Sequence, residues 1–482
     1  MAHNKFLPRV LAAAAAMMLL AGCSSKADPG FSPANPVNIT IWTYYNGEQL
    51  EAFNALVDEF NSTVGKEQGI TVESSSHGSV TDLENNVLAS AEGKVGAEAM
   101  PNIFSAYADT AYALDEMGQI ADLSDYLSEE DRAAFIEDYL SEGDFSGSGS
   151  IKIFPVAKSA ELLFLNETDW EPFAATTGAT YDDLATIEGL VSVAERYYEW
   201  TDAQTPDIPN DGRAFFGRDA MANYMLIGAK QLGCTIFDAQ DGSMTLNFDH
   251  DTVRTLWDNY YVPFIKGYFS ASGRFRSDDV KTGNIIAYVG SSSSATFFPT
   301  QVIADDMASH DITRKALESP KFANGEDYAV QQGAGMVVIN KSDAQVEAAA
   351  RFLKWFTQSD WAIEFSVSSG YLPVTVADND MEKIENSSPS MKKGVRKSLN
   401  TAVQTVKANT LYTTRAFETG TQARKKLEYA MSDAAQADRA AVEEALQGGA
   451  TLEEAMAEFV SEERFDAWYT QLMNELSEIV GQ

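Results

Sequence analysis

Basic residues, cysteine, histidine and long apolar runs are all scarce in this sequence. Its 35 lysines and arginines face 71 aspartates and glutamates, for a formal charge of −36. A surface of that sign repels nucleic acid and anionic lipid headgroups. It also suits plain solubility in a saline or anionic setting, so it names no ligand. Two cysteines, Cys23 and Cys234, leave almost no scope for disulfides. Beyond the N-terminal segment only His77, His250 and His310 occur, widely separated, which argues against a zinc enzyme or a histidine-rich metal receptor. No G-x-S-x-G or H-E-x-x-H is present. There is no Walker A or Rossmann glycine pattern either, so ATP hydrolysis would belong to another subunit. No cofactor and no metal are expected.

The N-terminus carries a different signal. Lys5 and Arg9 precede an apolar run, Val10 to Leu20, of about 11 residues, against the roughly 20 that span a bilayer. A short basic region, a short apolar core and small residues after it form the layout of a secretory signal. Leu20-Ala21-Gly22-Cys23 resembles the lipobox of bacterial lipoproteins. That resemblance implies removal of residues 1–22 and a lipid on Cys23, holding the protein at the outer side of the cell membrane. Residues 23–36, polar and rich in Pro, Gly and Ser, read as a flexible tether. With Lys5 and Arg9 gone the charge becomes −38. Cys234 then stands alone, as a small apolar residue. Past residue 22 no stretch is long and apolar enough to cross a membrane, and the remaining body is too long for one ordinary domain, so two lobes are expected.

The body opens with a strand from Val37 to Trp42. Leu50, Phe53, Leu56, Val57 and Phe60 then recur at the spacing of one helical face. Ile70-Thr71-Val72 reads as a strand, Leu83 to Ala91 as a helix and Asn102-Ile103-Phe104 as a third strand. This alternation predicts a parallel sheet wrapped by helices. Ligands of such sheets sit beyond the carboxyl ends of the strands, which points to Tyr44, Tyr45, His77, Tyr107 and Asp109. Each has a plainer alternative. The tyrosines are equally core material, His77 a solvated loop residue, and Asp109 a helix N-cap. Further strands are predicted at Leu162–Leu165, Ile285–Val289 and Met336–Ile339. The middle, 170–280, reads as mostly helical with loops at 201–213 and 239–244. A helix buries Val346, Ala349, Ala350, Leu353 and Phe356 on one side, and Thr451 to Glu454 forms a capping box in a helical C-terminal third.

In its order of elements the chain resembles the extracellular solute-binding proteins of bacterial ABC importers, specifically the carbohydrate-binding, maltose-binding-protein-like family. The residues that carry this are Ile39-Thr40-Ile41-Trp42 with Val57 to Asn61, Met100-Pro101-Asn102-Ile103-Phe104, and Pro155-Val156-Ala157 with Asn166. Gly333 to Ile339 leading to Ala348–Phe356, then Gly370-Tyr371-Leu372-Pro373-Val374, complete the set. Two departures stand out: Asn102 where the family has Asp, and Gly290-Ser291-Ser292 where it has Gly-Ser-Trp, so that Phe297 or Phe298 would have to replace a missing aromatic platform.

The resemblance implies an α/β, two-lobed periplasmic-binding-protein-like fold of type II, each lobe a helix-wrapped, mostly parallel sheet. The lobes would be 37–156 with 327–367, and 157–326 with 368–482. It implies hinge crossings at Pro155, Val156 and Ala157 and at Leu372 and Pro373, with a cleft that closes on its ligand. Lys158, Ser159 and Glu161 would stand just past the first crossing, Arg218 and Tyr224 at a helix start on the same groove. Ser291 and Ser292 would follow the second-lobe strand, and Tyr371 would stack from the hinge. Arg218 either binds an acidic ligand bidentately or pairs with Asp219 on the surface. The function implied is capture of a sugar or oligosaccharide by a monomer that delivers it to a membrane permease. An exported glycan-active enzyme, or a receptor feeding a membrane sensor, are the rival readings.

Overall fold

The computed structural model describes residues 30–240, 243–303 and 308–481. The expected signal segment and Cys23 lie outside them. Of the tether expected over 23–36, residues 30–36 are described, and all of them but Phe31 are exposed. Phe31 is buried under Arg351, whose guanidinium sits 5.2 Å from its ring, and Ser32 and Asn35 exchange backbone hydrogen bonds. The sequence of small polar residues concealed this one aromatic anchor.

In chain order the strands are β1 (Val37–Thr43), β2 (Ile70–Ser76), β3 (Ile103–Ala106), β4 (Glu161–Asn166), β5 (Phe216–Arg218), β6 (Phe237–Gln240) and β7 (Ser243–Leu246). They continue as β8 (Ala287–Ser291), β9 (Gln301–Val302), β10 (His310–Asp311), β11 (Arg314–Glu318), β12 (Tyr328–Val330), β13 (Gly335–Val338) and β14 (Thr410–Tyr412). Two four-stranded sheets form the lobes, ordered β13-β3-β1-β2 and β11-β4-β8-β5. In the first, β1 runs parallel to both neighbours and only the edge strand β13 is antiparallel. Side chains alternate along β1 as a pleated strand requires. Ile39 and Ile41 face the helices Gly47–Ser62 and Asp343–Phe356, while Trp42 joins the opposite core with Phe104 and Val337.

The second sheet is mixed rather than mostly parallel: β4 is antiparallel to β11 and β8, and only β5 and β8 are parallel. The cause is the route of the chain. β4 enters straight from the hinge, so its amino end lies at the cleft beside the carboxyl end of β8, with Glu161 paired to Ser291. Leu162 and Phe164 pack on the helix Lys393–Ala408, and Leu163 and Leu165 on the opposite, larger core. That core is built on the helix His250–Ile265, whose Val253, Leu256, Trp257, Tyr260, Tyr261 and Phe264 repeat at helical spacing. Of the predicted loop 239–244, the described residues belong to the paired strands β6 and β7, and Arg218 ends a strand instead of starting a helix. The capping box at Thr451 and Glu454 forms as expected.

Three chain segments pass side by side between the sheets. Phe154 pairs with Met336, Ser159 with Gln332, and Lys158 with Leu372, so the segment 154–159 runs between the other two. Gly333, at φ +92°, allows this approach, because a Cβ there would lie 3.0 Å from the Ala157 carbonyl oxygen. Lys158 is wholly buried at the centre; its Nζ is ion-paired to Glu142 and donates to the Gly333 carbonyl at 2.8 Å. Replacing Lys158 by Met is expected to cost about 3–5 kcal/mol, because Glu142 stays buried without its cation. Lys158→Met combined with Glu142→Leu is expected to recover most of that. Urea midpoints of the wild type, both single variants and the double variant check this; a double variant no more stable than Lys158→Met contradicts it.

Candidate functional site

The carboxyl ends of β1 and β3, the amino end of β4 and the carboxyl ends of β5 and β8 converge on the space between the sheets. The helices that follow β3 and β5, with segments 330–332 and 412–424, line a cavity of about 40 Å³ there. That volume holds a few waters. It is well below the roughly 300–1,000 Å³ of ligand pockets.

From the first lobe come Tyr107, Asp109 and Glu142; from the second come Asn223, Phe237, Phe417 and Arg424; Gln331 and Gln332 stand on the crossing between them. Tyr107 holds the N-cap position of the helix Ala108–Glu116, so Asp109 has no capping role and faces the cavity. Across from it begins the 28-residue helix Gly420–Gln447. A Cβ on Gly420 would lie 2.3 Å from Asp109 Oδ1, so only glycine permits this approach. Burial pushes the Asp109 carboxyl up to about 7, Arg424 pulls it down, and Glu84 and Glu142 push it further up. Glu84 is also raised, first by burial, against a Thr110 hydrogen bond and Arg424.

Other expected site residues form the wall of the cleft or its support. Glu161 is ion-paired with Arg218 and accepts from Asn223 Nδ2 at 2.8 Å, while Asn223 Oδ1 accepts from Arg424. Arg218 is thus buried on Glu161 rather than on the surface with Asp219, and the pair lines a second cavity of about 140 Å³ with Tyr224. Asp219 lies instead against Arg276. Tyr224 is core: its hydroxyl donates to the Leu256 carbonyl at 2.8 Å and its ring lies 5.5 Å from the Arg218 guanidinium. Tyr45 is also core, packed on Phe53 and Phe365. Tyr44 shares a 3.1 Å hydroxyl contact with Tyr371, which stacks on Phe365, so both brace the hinge.

His77 stands away from the cavity, its ring 4.2 Å from that of Trp42. Ser291 Oγ accepts from Ser293 N at 3.2 Å, and Ser292 Oγ donates to the Gly370 carbonyl at 3.3 Å, which ties the β8 end to the hinge. Ser159 Oγ is buried with no partner among the described residues. Pro155, Val156, Ala157, Leu372 and Pro373 stand at or beside the paired crossings. Neither Phe297 nor Phe298 replaces the missing platform: the first is exposed beside Gly47 and the second packs on Tyr288. Phe237, Phe417 and Tyr412 supply the aromatic wall.

Glu142, Asn223, Gln331, Gln332, Tyr412 and Arg424 escaped the sequence reading. One signal was available. Gly420, Arg424 and Glu428 repeat every four residues and share a helix face, distinct from the stripe Ala423, Leu427 and Met431 that enters the core. Glu428 receives the amides of Met221 (3.2 Å) and Ala222 (2.8 Å) at the start of the helix Met221–Gln231.

A family model described as bacterial extracellular solute-binding protein matches residues 55–391. No curated protein sequence matches. Among solved structures, the cyclic α-maltosyl-1,6-maltose binding protein of Arthrobacter globiformis aligns with TM-score 0.65 at 17% identity, over 93% of this chain and 100% of that one. The Listeria monocytogenes ABC substrate-binding protein Lmo0181, solved with cycloalternan, gives 0.65 at 15% over 92% and 99%. UgpB of Mycobacterium tuberculosis, solved with glycerophosphocholine, gives 0.65 at 16% over 92% and 98%. At these identities the likeness is one of fold.

A carboxyl that holds its proton up to about 7 when folded, against an ordinary 3.8, weakens the fold progressively as pH rises from about 4 to about 7. Asp109→Asn is therefore expected to be more stable than wild type at pH 8. The gap should widen by about 1–3 kcal/mol between pH 5 and pH 8, at ~1.4 kcal/mol per pK unit. Urea unfolding at the two pH values measures it; a gap independent of pH contradicts the assignment.

Proposed function

We propose, for a chain that belongs to the bacterial extracellular solute-binding proteins, that its cleft captures a sugar or oligosaccharide without negative charge by lobe closure and releases it unaltered to the permease of an ABC importer. The observation that carries this reading is the composition of the interlobe cavity. Aromatic rings of Tyr107, Tyr412, Phe237 and Phe417 stand beside hydrogen-bonding groups of Asp109, Asn223, Gln331 and Arg424, drawn from both lobes. Sugars present apolar C–H faces and a ring of hydroxyls, which such a wall matches. A micromolar ligand supplies about −8 kcal/mol, so closure has to cost only a few.

Three features favour a ligand without negative charge over an acidic sugar or a phosphodiester. Lys158 is held by Glu142, Arg218 by Glu161, and the amides opening the helix Met221–Gln231 by Glu428. At each of these three places the chain has already put a carboxylate of its own where an anion would bind.

The lobes in this reading are 37–156 with 327–367, and 157–326 with 368–482, turning about Pro155–Ala157 and Leu372–Pro373. A lipid on Cys23 would keep the protein, as a monomer, beside its permease. One observation speaks for the enzyme rival: Asp109, a carboxyl pushed up to about 7, shares the cavity with Glu142, the pairing that glycoside hydrolysis uses. Against it, Glu142 is tied to Lys158 and to Gln331 Nε2 at 3.4 Å.

A thermal-shift panel of neutral sugars on residues 30–482, with the sugars analysed afterwards, tests the proposal. A ligand at a hundred times its Kd is expected to add about 2.7 kcal/mol of stability and to be recovered intact. Cleavage of the sugar favours the enzyme, and a shift with acidic sugars alone contradicts this reading. For the anchor, Cys23→Ser is expected to move the protein from the membrane fraction to the medium; retention contradicts lipid attachment there.

A further inference from the structure

The walls of the cleft do not balance in charge. Asp109, Glu84, Glu142, Glu161 and Glu428 stand on or directly behind them. The cations are Lys158, Arg218 and Arg424. Lys158 and Arg218 are each committed to one carboxylate, and Glu428 is held by two helix amides. Of these three cations Arg424 alone remains to serve both Asp109 and Glu84, and it donates its hydrogen bond to the oxygen of Asn223 instead. Asp109 faces the cavity, and its carboxyl makes no hydrogen bond among the described residues. Independently, the amide oxygen of Gln332 is buried in the same wall without a partner among the described residues. The Thr414 hydroxyl, in the same lining, also has no partner among the described residues, so the unfilled groups are an acid, an amide oxygen and a hydroxyl, all able to accept.

A buried acceptor without a donor costs free energy, and a buried acid without a counter-charge costs more. A neutral sugar brings hydroxyl donors but leaves the charge surplus, so Asp109 has to stay protonated when the cleft shuts. A ligand ammonium would bring donors and the missing charge together, in a charge-assisted hydrogen bond. We infer that the cleft selects a saccharide bearing a free amino group, seated with its ammonium between Asp109 and Gln332. This rests on the sugar reading above and narrows it. The ammonium takes the place of the Asp109 proton, which leaves to solvent on binding. The raised position of the Asp109 and Glu84 carboxyls agrees with a site short of positive charge.

The test is titration calorimetry with matched ligands: glucosamine and chitosan oligomers, glucose and cello-oligomers of the same length, glucuronate, and a short diamine lacking a sugar ring. The amino saccharide is expected to bind at least about tenfold more tightly than its neutral parent, with glucuronate weakest. At pH 6, repeating the titration in buffers of different ionisation enthalpy should show proton release with the amino ligand only. Asp109→Asn should bring the amino and neutral affinities within about twofold and abolish the proton release. If that variant fails to fold, Glu84→Gln should narrow the same ratio. Neutral sugars that bind as well as amino sugars, with no proton released, overturn the inference and leave the sugar reading standing. Binding of the diamine alone, or of no saccharide, overturns both.

Discussion

The ion pair of Lys158 and Glu142 sits where the three interlobe segments meet, and the working geometry depends on it. An ammonium at that depth is tolerable only with a carboxylate and further acceptors around it. Glu142 and the Gly333 carbonyl provide them. They also tie the first lobe to both flanking segments, since Lys158 pairs through its backbone with Leu372 while its side chain reaches Gly333. The first and second crossings are thereby held at one point, the pivot that the proposed closure would use.

From that point the cleft is built outward by the direction of the strands. Because β4 leaves the hinge directly, Glu161 starts at the cleft edge, where Arg218 arrives at the end of β5. Asn223 extends the chain of contacts to Arg424, and Arg424 brings it within electrostatic reach of Asp109 in the other lobe. Groups that resembled ligand contacts are thus partners of one another. What they leave for a solute is a small set of acceptors, amides and aromatic edges in a nearly shut space.

Much of the fold was legible because its signals are local. The alternation of Ile39, Ile41 and Trp42, the helical stripe from Leu50 to Phe60 and the small-residue helix from Asp343 to Phe356 each state their own burial pattern. Strand-end reasoning placed Tyr107 and Asp109 at the cavity, where they are found. Tyr45 packs on Phe53, and Tyr224 bonds the Leu256 carbonyl, since an aromatic at a strand or helix end faces core or cleft according to partners far away in sequence. Glu142 and Arg424 were hidden for the same reason. Each gains its meaning from a contact across the molecule, and local spacing says nothing of Lys158 or Asp109. Three-residue β5 and the β6–β7 hairpin were too short to show a period.

The central claim is that two lobes close on a solute that they do not alter, and small-angle X-ray scattering tests it most directly. Protein without ligand is expected to give a larger radius of gyration and a bimodal distance distribution. A saccharide that calorimetry shows to bind should contract it toward the closed arrangement described above. Profiles that superimpose with and without such a bound saccharide would contradict the account.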